Sequence, residues 1–209
     1  MYSFITIFAN KKKEMININV RYFSDKQIQG KRIKQFSNIH CVMNITLIGM
    51  SGAGKSLVGK ELAKKIKFDF IDIDKLIEKK SKLELQRIIE KLGKQKFLKL
   101  EERTVLDIDN TDNLVISSGG SVVYSQKAMK YLETISKIVF LDASLEDIKK
   151  RIPDFSKRGI VGLEDGLEKI FDERYELYKK YSDISIKIPK IFDLNSIINK
   201  IIKKLKIHV

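Results

Sequence analysis

The sequence predicts an α/β fold in which one parallel sheet is covered by helices on both faces. Two observations carry this. Short continuous apolar runs alternate along residues 44–209 with longer stretches of helical periodicity, the pattern of strands buried on both faces. The first run, Ile45–Ile48, leads directly into Gly49-Met50-Ser51-Gly52-Ala53-Gly54-Lys55-Ser56, a G-x-x-x-x-G-K-S pattern placed where a strand gives way to a helix.

The elements follow in order. After strand Ile45–Ile48 a helix is expected over Lys55–Ile66, then a short strand Phe68–Ile71 and a helix Lys75–Lys80. Two more helices follow, Leu85–Leu92 and Lys96–Ile108, the second with Phe97, Leu100, Thr104 and Ile108 at helical spacing. Leu114–Ser117 is a third strand, Gln126–Glu133 a helix, Lys137–Leu141 a fourth strand and Leu145–Arg151 a helix. Pro153 and two glycines make 152–166 a loop. Helix Leu167–Tyr181, strand Ile184–Ile188 and amphipathic helix Leu194–Leu205 close the chain. Ligands of such sheets bind beyond the carboxyl ends of the strands.

The glycine-rich stretch fits a phosphate chain. Glycines let backbone N–H groups curl close to an anion, and the helix N-terminus adds positive potential. Gly49, Ser51, Gly52, Ala53, Gly54, Lys55, Ser56 and Leu57 are the expected ATP-binding stretch. Lys55 would reach the β/γ-phosphates and the Ser56 hydroxyl would hold Mg²⁺.

Four further features lie at expected strand ends or in the long loop. Asp72 and Asp74, two apart on an extended segment, would point the same way. One would hold Mg²⁺ through water and the other accept a proton from a hydroxyl; a helix N-cap is the alternative for one of them. Gly119-Gly120 permits close backbone approach, or makes a tight turn. Arg158, in the loop, would close over phosphates, or is a solvated arginine. Arg174 lies in the charged segment Asp172–Tyr178, where a surface i,i+4 pair is the default.

Composition bounds the rest. A single cysteine, Cys41, excludes an intramolecular disulfide framework and fits a reducing compartment. With only His40 and His208, a histidine-based metal site is not expected. The net charge of +14 suggests nucleic acid at first. Its distribution argues otherwise: residues 1–43 hold eight Lys+Arg against two acids, and 187–209 hold six Lys against one Asp. Residues 44–186 are nearly balanced, so nucleic acid is not an expected partner, and the longest apolar runs are far short of a membrane span, so no membrane is expected either. Residues 1–43 form a basic extension expected to be disordered or dispensable, with Met43 as the natural start. A secretory signal does not fit it, because no basic segment precedes Met1–Ala9. Organellar import through residues 1–42 stays open beside a cytoplasmic location, and a monomer is expected.

In order and spacing, Gly49–Ser56, Phe70-Ile71-Asp72-Ile73-Asp74, Phe97 with Glu101, Ser118-Gly119-Gly120, Arg158 and Arg174-Tyr175-Glu176-Leu177-Tyr178 resemble the shikimate kinases, over residues 44–188. The resemblance implies a three-layer P-loop kinase fold with a five-stranded parallel sheet and a mobile lid at about 152–166. It implies Lys55, Asp74 and Arg158 as catalytic residues and Ser56 and Asp72 at Mg²⁺. Asp74, Gly119, Gly120 and Arg174 would bind the acceptor, with Arg174 gripping its carboxylate, and Arg151 would lie near the adenine. Two positions depart from the family. Its arginine after the motif phenylalanine is here Leu98, and its third glycine is Ser121. The expected reaction is therefore ATP-dependent phosphorylation of a hydroxyl on a small carboxylate-bearing acceptor, shikimate first. A homoserine-like or gluconate-like acceptor, or a nucleotide-binding module without catalysis, are the alternatives.

Overall fold

The computed structural model describes residues 44–109 and 112–207. The basic extension 1–43 lies outside these, so the expectation for it is not addressed. Among the described residues five strands and eight α-helices alternate: β1 (Asn44–Ile48), α1 (Lys55–Ile66), β2 (Asp69–Asp72), α2 (Ile73–Ser81), α3 (Leu85–Leu92), α4 (Lys94–Leu106), β3 (Leu114–Ser117), α5 (Gln126–Ile135), β4 (Ser136–Asp142), α6 (Leu145–Arg151), α7 (Leu167–Tyr181), β5 (Ile184–Lys187) and α8 (Leu194–Leu205). None of these helices is long and apolar enough to cross a membrane.

The strands form one parallel sheet in the order β2-β3-β1-β4-β5. This order explains the two helical layers. The chain moves one way along the sheet from β1 to β2 and the opposite way through β3, β4 and β5. Because parallel crossovers are right-handed, that reversal puts α1 on one face and the later crossovers on the other. α8 returns to pack against α1.

β1 is central and buried along its whole length. Burying each of Ile45, Leu47 and Ile48, all 0% exposed, contributes about 1.5–3 kcal/mol. Buried polar groups fix the neighbours of β1. The Asn44 side-chain oxygen accepts from the Leu114 amide at 2.9 Å, and the Ser118 hydroxyl donates to the Leu47 carbonyl at 3.0 Å. The second contact fastens the end of β3 beside the end of β1, where the glycine-rich loop begins.

Several expectations change, and α4 starts and ends two residues earlier than expected. β2 begins at Asp69 rather than Phe68, and α2 begins at Ile73. Asp74 is therefore in the first turn of a helix, not on a strand. Asp72 is the N-cap, its Oδ1 accepting from the Lys75 amide at 3.1 Å. The two carboxylates are therefore placed by a strand-to-helix turn rather than by strand alternation, and both act on Lys55. Arg174, by default a surface residue, is 1% exposed.

Candidate active site

Parallel strands put all five carboxyl ends on one side, and the expected residues collect there. The loop after β1 has Gly49, Gly52 and Gly54 at φ of 142°, 85° and 96°, conformations that glycine adopts without strain. Their close neighbours are protein. A Cβ on Gly52 would stand 2.7 Å from Ile152 Cδ1, and one on Gly54 would stand 2.9 Å from the Phe192 ring. Ala53 is fully buried, whereas Ser56 and Leu57 are exposed at the start of α1. Lys55 Nζ donates to the carbonyls of Gly49 at 2.8 Å and Met50 at 3.1 Å. Burial lowers the Lys55 pKa, against the attraction of Asp74 and Asp72. Arg151 lies along the same loop, its guanidinium 5.1 Å above the Phe192 ring and within 3.4 Å of the Gly52 carbonyl.

A cleft opens beside this loop. Ser51, Lys55, Asp74, Gly120, Arg158 and Arg174 all line it, although they come from five separate segments of chain. Gly119 sits just behind. A Cβ there would stand 1.9 Å from Glu101 Oε1 and 2.7 Å from Asp74 Oδ1, so only glycine fits against this pair of carboxyls. Gly119→Ala is expected to cost about 1–3 kcal/mol by overpacking, seen as a lower melting temperature, and to reduce turnover by displacing Asp74.

The charges are unusual for a buried place. Desolvation raises the Asp74 pKa to about 6, with Asp72 adding to the shift and Lys55 opposing it. Arg174 Nη2 donates to the Val161 carbonyl at 2.7 Å, but its buried Nε has no hydrogen-bond partner among the described residues. Its guanidinium lies 5.2 Å from the Tyr124 ring. An incompletely satisfied buried cation is costly and favours an anionic ligand.

Residues 152–166 contain 3₁₀ turns at Phe155–Lys157 and Leu163–Asp165, and 158–161 line the cleft. The Gly159 amide donates to Gln86 Oε1 of α3 at 3.0 Å, and Lys94 of α4 pairs with Asp165 at 3.0 Å. Arg158 is exposed within this segment and faces the cleft.

Sequence reasoning missed several partners. Tyr178, one helical turn after Arg174, is fully buried and donates to the Gly120 carbonyl at 2.6 Å. Glu101, noted only as part of a motif, is 2% exposed. Its spacing of four from Phe97 was the available signal, since that interval shares a helix face.

Comparison with known proteins fits this geometry. A family model described as shikimate kinase matches residues 51–206. The chain belongs to the shikimate kinase family. The shikimate kinase of Francisella tularensis subsp. novicida is 34% identical over 162 residues, covering 76% of this chain and 92% of the relative. Among solved structures, shikimate kinase from Acinetobacter baumannii in complex with shikimate has a TM-score of 0.73 at 25% identity, covering 79% of this chain and 94% of that one. Shikimate kinase from Aquifex aeolicus has a TM-score of 0.68 at 30% identity, covering 78% and 96% respectively. As a member of the shikimate kinase family the chain is a P-loop phosphotransferase acting on a hydroxyl group.

Proposed function

We propose that the chain transfers the γ-phosphoryl group of ATP to the 3-hydroxyl of shikimate. The observation that carries this reading is the convergence of Lys55, Asp74, Arg158 and Arg174 on one cleft. Each has a distinct task there. Lys55 and the loop amides bind phosphate. Asp74, with a pKa near 6, is ionised at neutral pH yet basic enough to take the hydroxyl proton. Arg174 holds the acceptor carboxylate, which supplies the anion that its Nε lacks. Arg158 comes from the lid to offset charge on the transferring group, and Arg151 with Phe192 flanks the base.

The donor set suits Mg²⁺. Mg²⁺ in kinases keeps most of its waters and takes one or two protein ligands beside the phosphates. The exposed Ser56 hydroxyl and the half-buried Asp72 carboxylate are that kind of sparse set, and no cluster of three acids, His or Cys occurs among the described residues. Bound there, Mg²⁺ would neutralise phosphate charge. Asp72 uses Oδ1 to cap α2, and its second oxygen would face the metal shell. Convergence of Lys55, Asp74 and Arg158 favours catalysis over a nucleotide-binding module.

One position favours weighing another acceptor. Leu98 packs on the hydrophobic core and offers no donor where the family carries an arginine. A hydrogen bond to a charged group is worth about 1.5–3 kcal/mol, so shikimate affinity is expected to be about tenfold to a hundredfold weaker than with an arginine there. The test is Leu98→Arg beside the parent on shikimate, homoserine and gluconate. Tighter shikimate binding in the variant, with shikimate still the parent's preferred acceptor, supports the reading. A parent that prefers homoserine or gluconate replaces it with the alternative.

A further inference from the structure

An aromatic ring rather than an acid stands against Arg174. None of the ion pairs among the described residues involves this arginine. Its Cζ lies over the Tyr124 ring, 5.2 Å from the centroid, within the range at which a ring face attracts a guanidinium. Tyr124 is itself fixed at both ends. Val122–Tyr124 is a single 3₁₀ turn directly after the Gly119-Gly120-Ser121 loop, and its two valines are buried. The Tyr124 amide donates to the Ser121 carbonyl at 3.0 Å, which ties the root of the ring to the loop lining the cleft. Its hydroxyl donates to Glu173 Oε2 at 3.2 Å. That is longer than an ordinary O–H···O bond, so the ring contributes more than the tether.

The choice of a ring has a chemical consequence. An acid paired with Arg174 would have to be displaced by an incoming carboxylate. A ring face attracts the cation and supplies no competing anion. Arg174 is 1% exposed, and cation–π attraction is stronger where water is excluded. An arginine side chain also has considerable rotamer freedom; removing it before the acceptor arrives lowers the cost of binding. Leu98 makes that placement matter more, because it offers no second cation to share the carboxylate. Resting on the function proposed above, we propose that Tyr124 is a positioning residue for the acceptor: its ring holds the Arg174 guanidinium in place for the carboxylate, and Glu173 steadies the ring from the exposed side.

The test uses the full chain with Tyr124→Leu, Tyr124→Phe and Glu173→Ala, assayed on shikimate and on its methyl ester, which carries no carboxylate charge. Tyr124→Leu is expected to raise KM for shikimate about threefold to thirtyfold, the span of a cation–π contact from exposed to desolvated sites. kcat and the KM for ATP should change little, the signature of binding lost equally from ground and transition states. On the methyl ester, kcat/KM is low in the parent and should not fall further. The preference for acid over ester therefore narrows by the same factor. Tyr124→Phe keeps the ring and should recover most of the loss, and Glu173→Ala should cost less than Tyr124→Leu. Equal losses on acid and ester, or a Phe variant as poor as the Leu variant, would make Tyr124 a packing residue and overturn the proposal. A parent that ignores shikimate but phosphorylates homoserine or gluconate would overturn the acceptor reading instead. Comparing that acid with its primary amide then decides the role of Tyr124 by the same narrowing.

Discussion

Lys55→Ala is expected to abolish phosphotransfer, with kcat/KM down by at least about a hundredfold to a thousandfold, the scale of losing one preorganised charge-stabilising donor. Among the described residues Lys55 Nζ bonds only the Gly49 and Met50 carbonyls, and its pKa is already lowered by burial. It is a cation held at some cost, ready to exchange carbonyl contacts for phosphate. Its loss should therefore weaken ATP binding and turnover much more than it lowers the melting temperature. Steady-state kinetics beside a thermal melt checks this. A variant with the parent rate would show that the loop serves another purpose.

Asp74→Asn is expected to have the second large effect. General-base catalysis contributes about a hundredfold to ten-thousandfold, so kcat should fall in that range while ATP affinity is nearly retained. In the parent, kcat/KM should rise with pH through about 6 as Asp74 ionises in the free enzyme. The stability effect has the opposite sign. Because the folded pKa is raised above 3.8, Asp74 stabilises the fold most when protonated, and this contribution is lost as pH rises through about 6. Asn stays neutral, so at neutral pH the variant should melt at or above the parent temperature while being nearly inactive. Asp72→Asn should instead raise the Mg²⁺ requirement and weaken the cap of α2. Equal, mild effects of the two substitutions on turnover would leave both residues as helix-start residues only.

Much of the fold was legible in the sequence because strand and helix periods differ so clearly. α1, α3, α6, α7 and α8 have the expected bounds, and β1, β3, β4 and β5 agree to within one residue at each end. The strand-to-helix turn at Asp72–Asp74 was less legible, since Ile71 and Ile73 extend the apolar alternation past the end of β2. Arg174 shows a different difficulty. It shares one stripe of α7 with Ile170 and Tyr178, both buried, so its spacing pointed inward while its charge pointed outward. Glu101 is the same case on α4, between Phe97 and Val105. A charged residue four positions from buried apolar ones on both sides is either an error of register or a functional group. Here both such residues adjoin the proposed acceptor pocket. Propensity could not weigh that, because the gain comes from a ligand the chain alone does not contain.

The most direct test of the central claim is product formation. The chain, ATP and Mg²⁺ are incubated with shikimate, homoserine or gluconate while ADP release is followed, and the phosphorylated product is identified by ³¹P NMR. The expected result is ADP release that depends on shikimate, a single phosphate monoester on its 3-hydroxyl, and slower turnover of the other two acceptors. ADP release that is indifferent to shikimate but driven by homoserine or gluconate would contradict the account.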